Sequence, residues 1–328
     1  MARKALITGI TGQDGSYLAE HLLSEGYEVH GVVRHPGKLD GSWISHLCDD
    51  PAILDRRLFL HPADLLDPAT LRRALHEARP EELYHLAGQS HVGLSFQLPE
   101  VTCGTNALST LRLLEMLREL PQPPRFFQAS SAEIFGRPDQ APQDERTPVA
   151  PVTPYGCAMA FSTQLTKVYR ESCGLFACCG IFYNHESPRR AATFVTRKIC
   201  RAAAAIKRGR QATLVLGDLE AARDWGHARD YVRAMHLMLQ RPRPADYVVA
   251  TGQLHRVRDV VEIAFEHVQL DWRAHVTHDP QLLRPAEPCR LVGNPAQAHR
   301  ELGWAPTISF EAMIREMTDA ELRALDRS

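Results

Sequence analysis

The chain has 328 residues, 44% of them apolar, and its 38 Lys and Arg against 39 Asp and Glu leave a formal net charge of −1. That length supports a large buried core in one or two joined domains, and the neutral balance argues against wrapping nucleic acid or lying on an anionic membrane. Eight scattered cysteines form no C-x-x-C pair, no Cys/His spacing suits zinc, and no apolar run approaches the ~18 residues of a membrane span, so no metal and a reducing, cytoplasmic setting are expected.

In chain order, KALIT at residues 4–8 predicts a strand, residues 9–15 a glycine turn, and residues 16–25 a helix carrying Leu18, Leu22 and Leu23 on one face and ended by Gly26. YEVHGVV at 27–33 is a second strand. Strands at 58–61, 82–87 and 125–129 alternate with helices at 69–78 and 106–120. Five prolines in residues 138–154 mark a long loop that delivers Tyr155 to a helix over 153–172, which makes the loop a candidate active-site wall. A strand at 177–183 follows, and YVVATG at 247–252 returns a strand to the sheet. Such alternation predicts an α/β fold: a doubly wound parallel Rossmann sheet with a smaller C-terminal substrate-binding lobe. The expected partition places residues 1–183 and about 225–258 in the Rossmann domain. Residues of about 184–224 and 259–328 fall to the lobe.

Gly9, Gly12 and Gly15 form G-x-x-G-x-x-G between a strand and a helix, with Thr11, Gln13 and Asp14 in the gaps. Glycines let the backbone approach a pyrophosphate, and the helix N-terminus offers free N–H groups and partial positive charge. A dinucleotide is therefore expected here. Binders of NAD usually place an acid at the end of the second strand. This chain has Arg34, which suits a 2′-phosphate and favours NADP; the alternative is a solvated strand-end charge. Asp64 and Leu65, after the next strand, sit where such folds edge the adenine, with a helix cap before Pro68 as the other reading of the acid.

The segments ALITGITGQDGSYLAE (5–20), LYHLAGQSHVGLSF (83–96), QASSAEIFG (128–136), NHESPRRAATFVTRK (184–198), RDWGHARDY (223–231), RPAE (284–287) and LGW (302–304) carry a resemblance to the GDP-mannose 4,6-dehydratase family of extended short-chain dehydrogenases/reductases. The resemblance runs nearly end to end. It implies bound NADP that takes hydride from C4 of a GDP-hexose and returns it to C6. It also implies a tyrosine that takes the 4-OH proton, a glutamate that takes the C5 proton, and loss of water from C6. On this sequence those roles fall to Tyr155 and Glu133, with Ser131 where the family has threonine. Leu86, Ala87, Gln89, Ser90, His185 and Arg190 match positions at the cofactor. Asn184, Val195, Lys198, Gly217, Arg223, Arg284 and Glu287 match positions around the GDP-sugar. A homodimer or homotetramer is implied as well, with helix 153–172 as a plausible contact.

One departure is chemical. The family's Y-x-x-x-K reads Tyr155-Gly-Cys-Ala-Met159. Positions 155 and 159 are one helical turn apart, so a lysine there would lower the Tyr pKa and hold the nicotinamide ribose. A thioether does neither, and an unassisted phenol is a poor base at neutral pH. Residues 36–46 also lack the family's Ser/Asn/Arg pattern near the cofactor phosphate, Ala132 stands for Ser, and Ala191 for Gly. A GDP-sugar isomerase without net redox (an epimerase or ring-form mutase) and a catalytically impaired GDP-sugar binder therefore stand beside the dehydratase reading.

Overall fold

The computed structural model describes residues 2–37, 39, 41–279 and 290–327. β1 (Lys4–Thr8), α1 (Gln13–Ser24) and β2 (Glu28–Val33) open the chain, followed by the short α2 (Ser45–Cys48), β3 (Leu58–Pro62), α3 (Pro68–Ala78) and β4 (Glu82–His85). Next come the single turns α4 (Val92–Ser95) and α5 (Pro99–Thr102), a π-helical stretch over Cys103–Leu108, α6 (Ser109–Arg118) and β5 (Arg125–Ser131). A 3₁₀ turn over Ala132–Ile134 leads into the proline loop, then α7 (Pro154–Cys173), β6 (Ala177–Phe182), β7 (Asn184–Glu186), α8 (Val195–Lys207) and β8 (Leu214–Leu216). β9 (Ala222–Arg223), β10 (Trp225–His227), α9 (Ala228–Leu239), β11 (Tyr247–Val249), β12 (His255–Arg256), α10 (Val257–His267) and β13 (Val276–His278) follow, and α11 (Ala296–Leu302) and α12 (Phe310–Asp326) end the chain.

Local chemistry sets these boundaries. Asp67 caps α3, accepting from the N–H groups of Ala69 and Thr70, with Pro68 in the first turn. Thr153 caps α7, its hydroxyl accepting from Gly156 N–H at 2.9 Å, and Gly174 ends it in the left-handed conformation. The helix expected over 106–120 is entered earlier, at Pro99, through α5 and the π-helical stretch. Widened turns of this kind recur at functional sites, and this one holds Asn106.

Seven parallel strands form the main sheet in the order β11-β6-β5-β4-β1-β2-β3, the doubly wound arrangement expected. Strand order reverses between β1 and β4, and such a switch point opens a crevice at the strands' C-terminal ends. One face is covered by α1 and α9 through Tyr17, Leu18, Leu22, Met235 and Met238. The other is covered by α3 and α6 through Leu71, Leu75, Leu113, Leu114 and Leu117. A separate cluster joins α8, α10 and α12 through Ile199, Ala203, Val260, Phe265, Met313 and Met317. Two expectations about the lobe shift accordingly. Ala298, Leu302 and Trp304, expected in the lobe, pack in the main core, where Trp304 Nε1–H donates to the Asp230 carbonyl at 2.7 Å. Val257, expected in the main domain, packs in the second cluster.

Candidate active site

The glycine turn is fixed by close approach. Gly9 adopts φ +76°, and a Cβ there would lie 2.9 Å from Ala87 N and Cα; a Cβ on Gly15 would lie 2.1 Å from the Gly9 carbonyl oxygen. Thr8 Oγ1 accepts from the N–H groups of both Leu86 and Ala87 at 3.1 Å and pairs with His85 Nδ1 at 2.8 Å. The ends of β1 and β4 are thus tied together beneath the turn. No side chain caps the start of α1, where Gly12 is the N-cap, so no side chain competes with an anion for its first N–H groups. A cradle that excludes Cβ atoms above an uncapped helix N-terminus fits a dinucleotide pyrophosphate.

The turn is bridged to the segment after β6. Gln13 Nε2 donates to the His185 carbonyl (3.1 Å), and Gln13 Oε1 accepts from Ser187 Oγ (2.8 Å). Asp14 Oδ2 lies 2.8 Å from His185 Nε2, and the His185 ring stacks on Tyr231 with centroids 4.6 Å apart. Burial alone would lower the His185 pKa, but the Asp14 charge and hydrogen bond raise it. Burial likewise opposes ionisation of Asp14, and His185 outweighs it, so that carboxyl titrates below its ordinary value. Arg190 stands beside them, its Nε 3.2 Å from Glu186 and its guanidinium over the Phe194 ring at 3.5 Å.

At the adenosine end, Arg34 is exposed past β2. Asp64 forms a turn, its Oδ1 accepting from Leu66 N–H at 2.8 Å and its own N–H donating to Thr70 Oγ1 at 3.2 Å. The cap before Pro68 is therefore Asp67 and not Asp64. Leu65 gives its carbonyl to Arg112 (3.2 Å). Gln89 is held by Thr102 and Asn106, while Ser90 is exposed.

Ser131 ends β5 and Glu133 sits in the 3₁₀ turn after it, its N–H donating to Ser131 Oγ at 3.3 Å. Tyr155 enters on the first turn of α7. That helix packs so tightly here that a Cβ on Gly156 would lie 2.7 Å from the Glu133 carbonyl oxygen. The structure therefore brings Ser131, Glu133 and Tyr155 together. Burial pushes the Tyr155 pKa up to about 12, against a hydrogen bond from Ser131 that lowers it. Met159 is buried among Ala132, Ile134, Phe135, Ile181 and Tyr183, with Tyr155 against the same cluster. Its Sδ takes a hydrogen bond from Asn106 Nδ2 at 3.5 Å, while Asn106 Oδ1 and Nδ2 also clasp the Gln89 backbone at 2.8 Å. Met159 is therefore an apolar core residue. Asn106 was missed from the sequence, since one asparagine in an amphipathic helix carries no signal of its own. Lys167 offers no substitute charge; it lies 4.0 Å from Glu171 on the surface of α7.

On the sugar side, Asn184 and His185 lie on β7, paired with β10. Val195 is the first residue of α8, and Lys198 Nζ, one turn later, donates to the Val215 carbonyl at 2.8 Å. Gly217 follows β8 directly. Arg223 lies on β9, opposite His255. Arg284 and Glu287 lie outside the described residues.

A family model described as GDP-mannose 4,6 dehydratase matches residues 6–317. The chain is 43% identical to GDP-mannose 4,6-dehydratase of Vibrio cholerae, over 100% of this chain and 96% of that protein. It is 46% identical to GDP-mannose 4,6 dehydratase 2 of Arabidopsis thaliana, over 98% and 88%. Among solved structures it is similar to RMD from Pseudomonas aeruginosa complexed with NADPH. There the TM-score is 0.81 at 25% identity, covering 98% of this chain and 99% of that one.

The Asp14–His185 pair makes stability depend on pH in a defined direction. His185 titrates above the ~6.5 of the unfolded chain, so its contribution is complete below that pH and is lost as pH rises through the folded value. Asp14 titrates below its unfolded value near ~3.9, so its contribution is lost only as pH falls through the lower folded value. Urea unfolding should find His185→Gln destabilised by about 1–3 kcal/mol at about pH 5.5, and by less at about pH 9. Equal losses at both pH values would mean that the pair is not ionic.

Proposed function

This chain belongs to the GDP-mannose 4,6-dehydratase family, and from that premise we propose that it removes water from GDP-mannose to give the 4-keto-6-deoxy sugar nucleotide, with NADP(H) held at the Gly9–Gly15 turn. The observation that carries the reading is the convergence of Ser131, Glu133 and Tyr155 beside that turn, in a chain related to dehydratases over its whole length. Arg34, which no acid near the end of β2 accompanies, supports the 2′-phosphate form of the dinucleotide.

The bound dinucleotide supplies the acceptor and donor of hydride; the side chains handle protons. Tyr155 faces the hexose 4-OH and Ser131 steadies the phenol. Glu133 takes the C5 proton, which becomes acidic once C4 is a ketone, and the proton it gains assists departure of the C6 hydroxyl as water. Asn184, Val195, Lys198, Gly217 and Arg223, with Arg284 and Glu287, hold the GDP-sugar in this reading.

Met159 favours a second reading on a specific ground. With no ammonium one turn below it and a pKa pushed up to about 12, Tyr155 stays protonated at neutral pH and is a better acid than base. The redox step is slow or silent in that case, and the chain acts as a GDP-sugar isomerase or binder.

The helices also support self-association. Phe161 and Val168 on α7 are exposed, as are Phe96, Leu98, Val101 and Leu108 on the segment beside it. This apolar stripe suits a dimer of the same chain. Seven described cysteines are free, which suits a reducing cytoplasm. Among the described residues, no helix is long and apolar enough to cross a membrane.

Incubation with GDP-mannose and NADP⁺ should yield a product lighter by one water; an isomer of unchanged mass favours the second reading. Met159→Lys should raise turnover by about 10²-fold, the low end of what positioned proton transfer contributes. Unchanged turnover in a folded variant would show that Tyr155 does not limit the rate. Arg34→Ala should weaken NADP⁺ by about tenfold and leave NAD⁺ nearly unaffected, read by calorimetry. Equal losses remove Arg34 from the phosphate. Phe161→Asp should halve the mass seen by light scattering; an unchanged mass places the contact elsewhere.

A further inference from the structure

His85 ends β4 and is buried, opposite Thr8 of β1 on one side and Gln128 of β5 on the other. It is a titratable group that no step of the dehydratase reading uses.

Its hydrogen bonds follow from counting donors and acceptors. The Thr8 hydroxyl has two lone pairs and one proton. Both lone pairs are taken by the N–H groups of Leu86 and Ala87, each at 3.1 Å. Only the Thr8 proton is left for His85 Nδ1, 2.8 Å away. Nδ1 is therefore an acceptor, and the ring proton sits on Nε2, 3.1 Å from Ser109 Oγ. Ser109 spends its own proton on the Thr105 carbonyl, so its lone pairs are free for the imidazole. A second ring proton would face a Thr8 oxygen with nothing left to accept it. Burial acts in the same direction and pushes the His85 pKa down to about 4.

The donors thus run one way, from Thr8 to His85, on to Ser109 and to the carbonyl of the Thr105–Asn106 peptide in the π-helical stretch. Each end of this run holds the same short segment. Thr8 holds Leu86 and Ala87. The Asn106 carboxamide holds Gln89, accepting from its N–H and donating to its carbonyl, both at 2.8 Å. Little slack is left between these two clamps. A Cβ on Gly88 would lie 3.0 Å from Asn106 Oδ1, and one on Gly9 would lie 2.9 Å from Ala87.

We propose that His85 is a positioning residue for the cofactor: as the neutral Nε2–H tautomer it joins the two clamps and fixes residues 86–89 against the Gly9–Gly15 turn. The proposal rests on the reading that a dinucleotide binds at that turn. It concerns the pyrophosphate side of the cradle and not the 2′-phosphate, so NADP⁺ and NAD⁺ should feel the loss of His85 alike.

Calorimetry with both dinucleotides on the full-length protein tests this. His85→Leu keeps the bulk but offers Thr8 no acceptor, and should weaken NADP⁺ and NAD⁺ by about tenfold each, as expected for loss of a buried hydrogen bond. His85→Asn places Oδ1 where Nδ1 stood, and should restore most of that affinity. A residue that only fills space would give the reverse order, since leucine fills the site better than asparagine. Nitrogen NMR of the wild type needs no variant to fold. At about pH 6 the His85 ring should be neutral with its proton on Nε2, where an ordinary imidazole of pKa ~6.5 is mostly charged. The proposal is overturned if His85→Leu binds both dinucleotides as the wild type does, if it weakens NADP⁺ alone, if His85→Asn loses as much as His85→Leu, or if the ring is cationic or carries its proton on Nδ1. Those results leave the cofactor reading standing; a wild type that binds neither dinucleotide overturns that reading, and this proposal with it.

Discussion

The close approach of the Gly9–Gly15 turn to the end of β4 governs the rest of the site. Side chains are excluded at Gly9 by Ala87 and at Gly15 by the Gly9 carbonyl, so β1, α1 and β4 meet at one point with their backbones nearly in contact. Thr8 fixes the spacing by accepting from two successive N–H groups beyond β4. The candidate site residues are referenced to this junction. β5 lies next to β4, ends at Ser131 and leads into Glu133, while β6 lies next to β5 and leads into His185 and Arg190. A parallel sheet with this strand order sends all of these to the same edge.

At that edge a charge has been exchanged for packing. The cluster of Ile134, Phe135, Met159, Ile181 and Tyr183 is continuous, and Asn106 turns its carboxamide toward the Met159 sulfur. The position is therefore a filled, apolar one and not a vacancy awaiting a cation. The same burial that suits a thioether penalises a phenolate, which is why Tyr155 is pushed toward the protonated form. Packing and acid–base chemistry pull in opposite directions at this helix turn, and packing prevails in the resting protein.

The segment 184–190 joins the two halves of the molecule. Its residues pair with Asp14, Gln13 and Ser16 on one side and lead into α8 of the second cluster on the other. Much of the protein's partly buried charge collects along it: the Asp14–His185, Arg189–Glu20 and Arg190–Glu186 pairs are all within ion-pair distance. Pairs in such half-shielded places are worth more than surface pairs but respond to pH and to bound anions. A ligand phosphate at the turn would therefore alter the same pairs that hold the halves together.

By itself the sequence determined the strand–turn–helix at the N-terminus, the parallel alternation, the helix that follows the proline loop and the loss of the lysine, because each rests on local geometry or on a residue's own chemistry. Glycine spacing and the period of apolar residues act within a few residues of one another. The tertiary structure alone decided matters that need distant segments to meet. It placed Asn106 against Met159 across 53 residues and moved Ala298, Leu302 and Trp304 into the main core. It gave the helix cap to Asp67 and left Asp64 in a turn. It also set both Arg189 and Arg229 over the Tyr17 ring. Such contacts depend on the direction of a side chain once a helix is docked, and no period in the sequence records that.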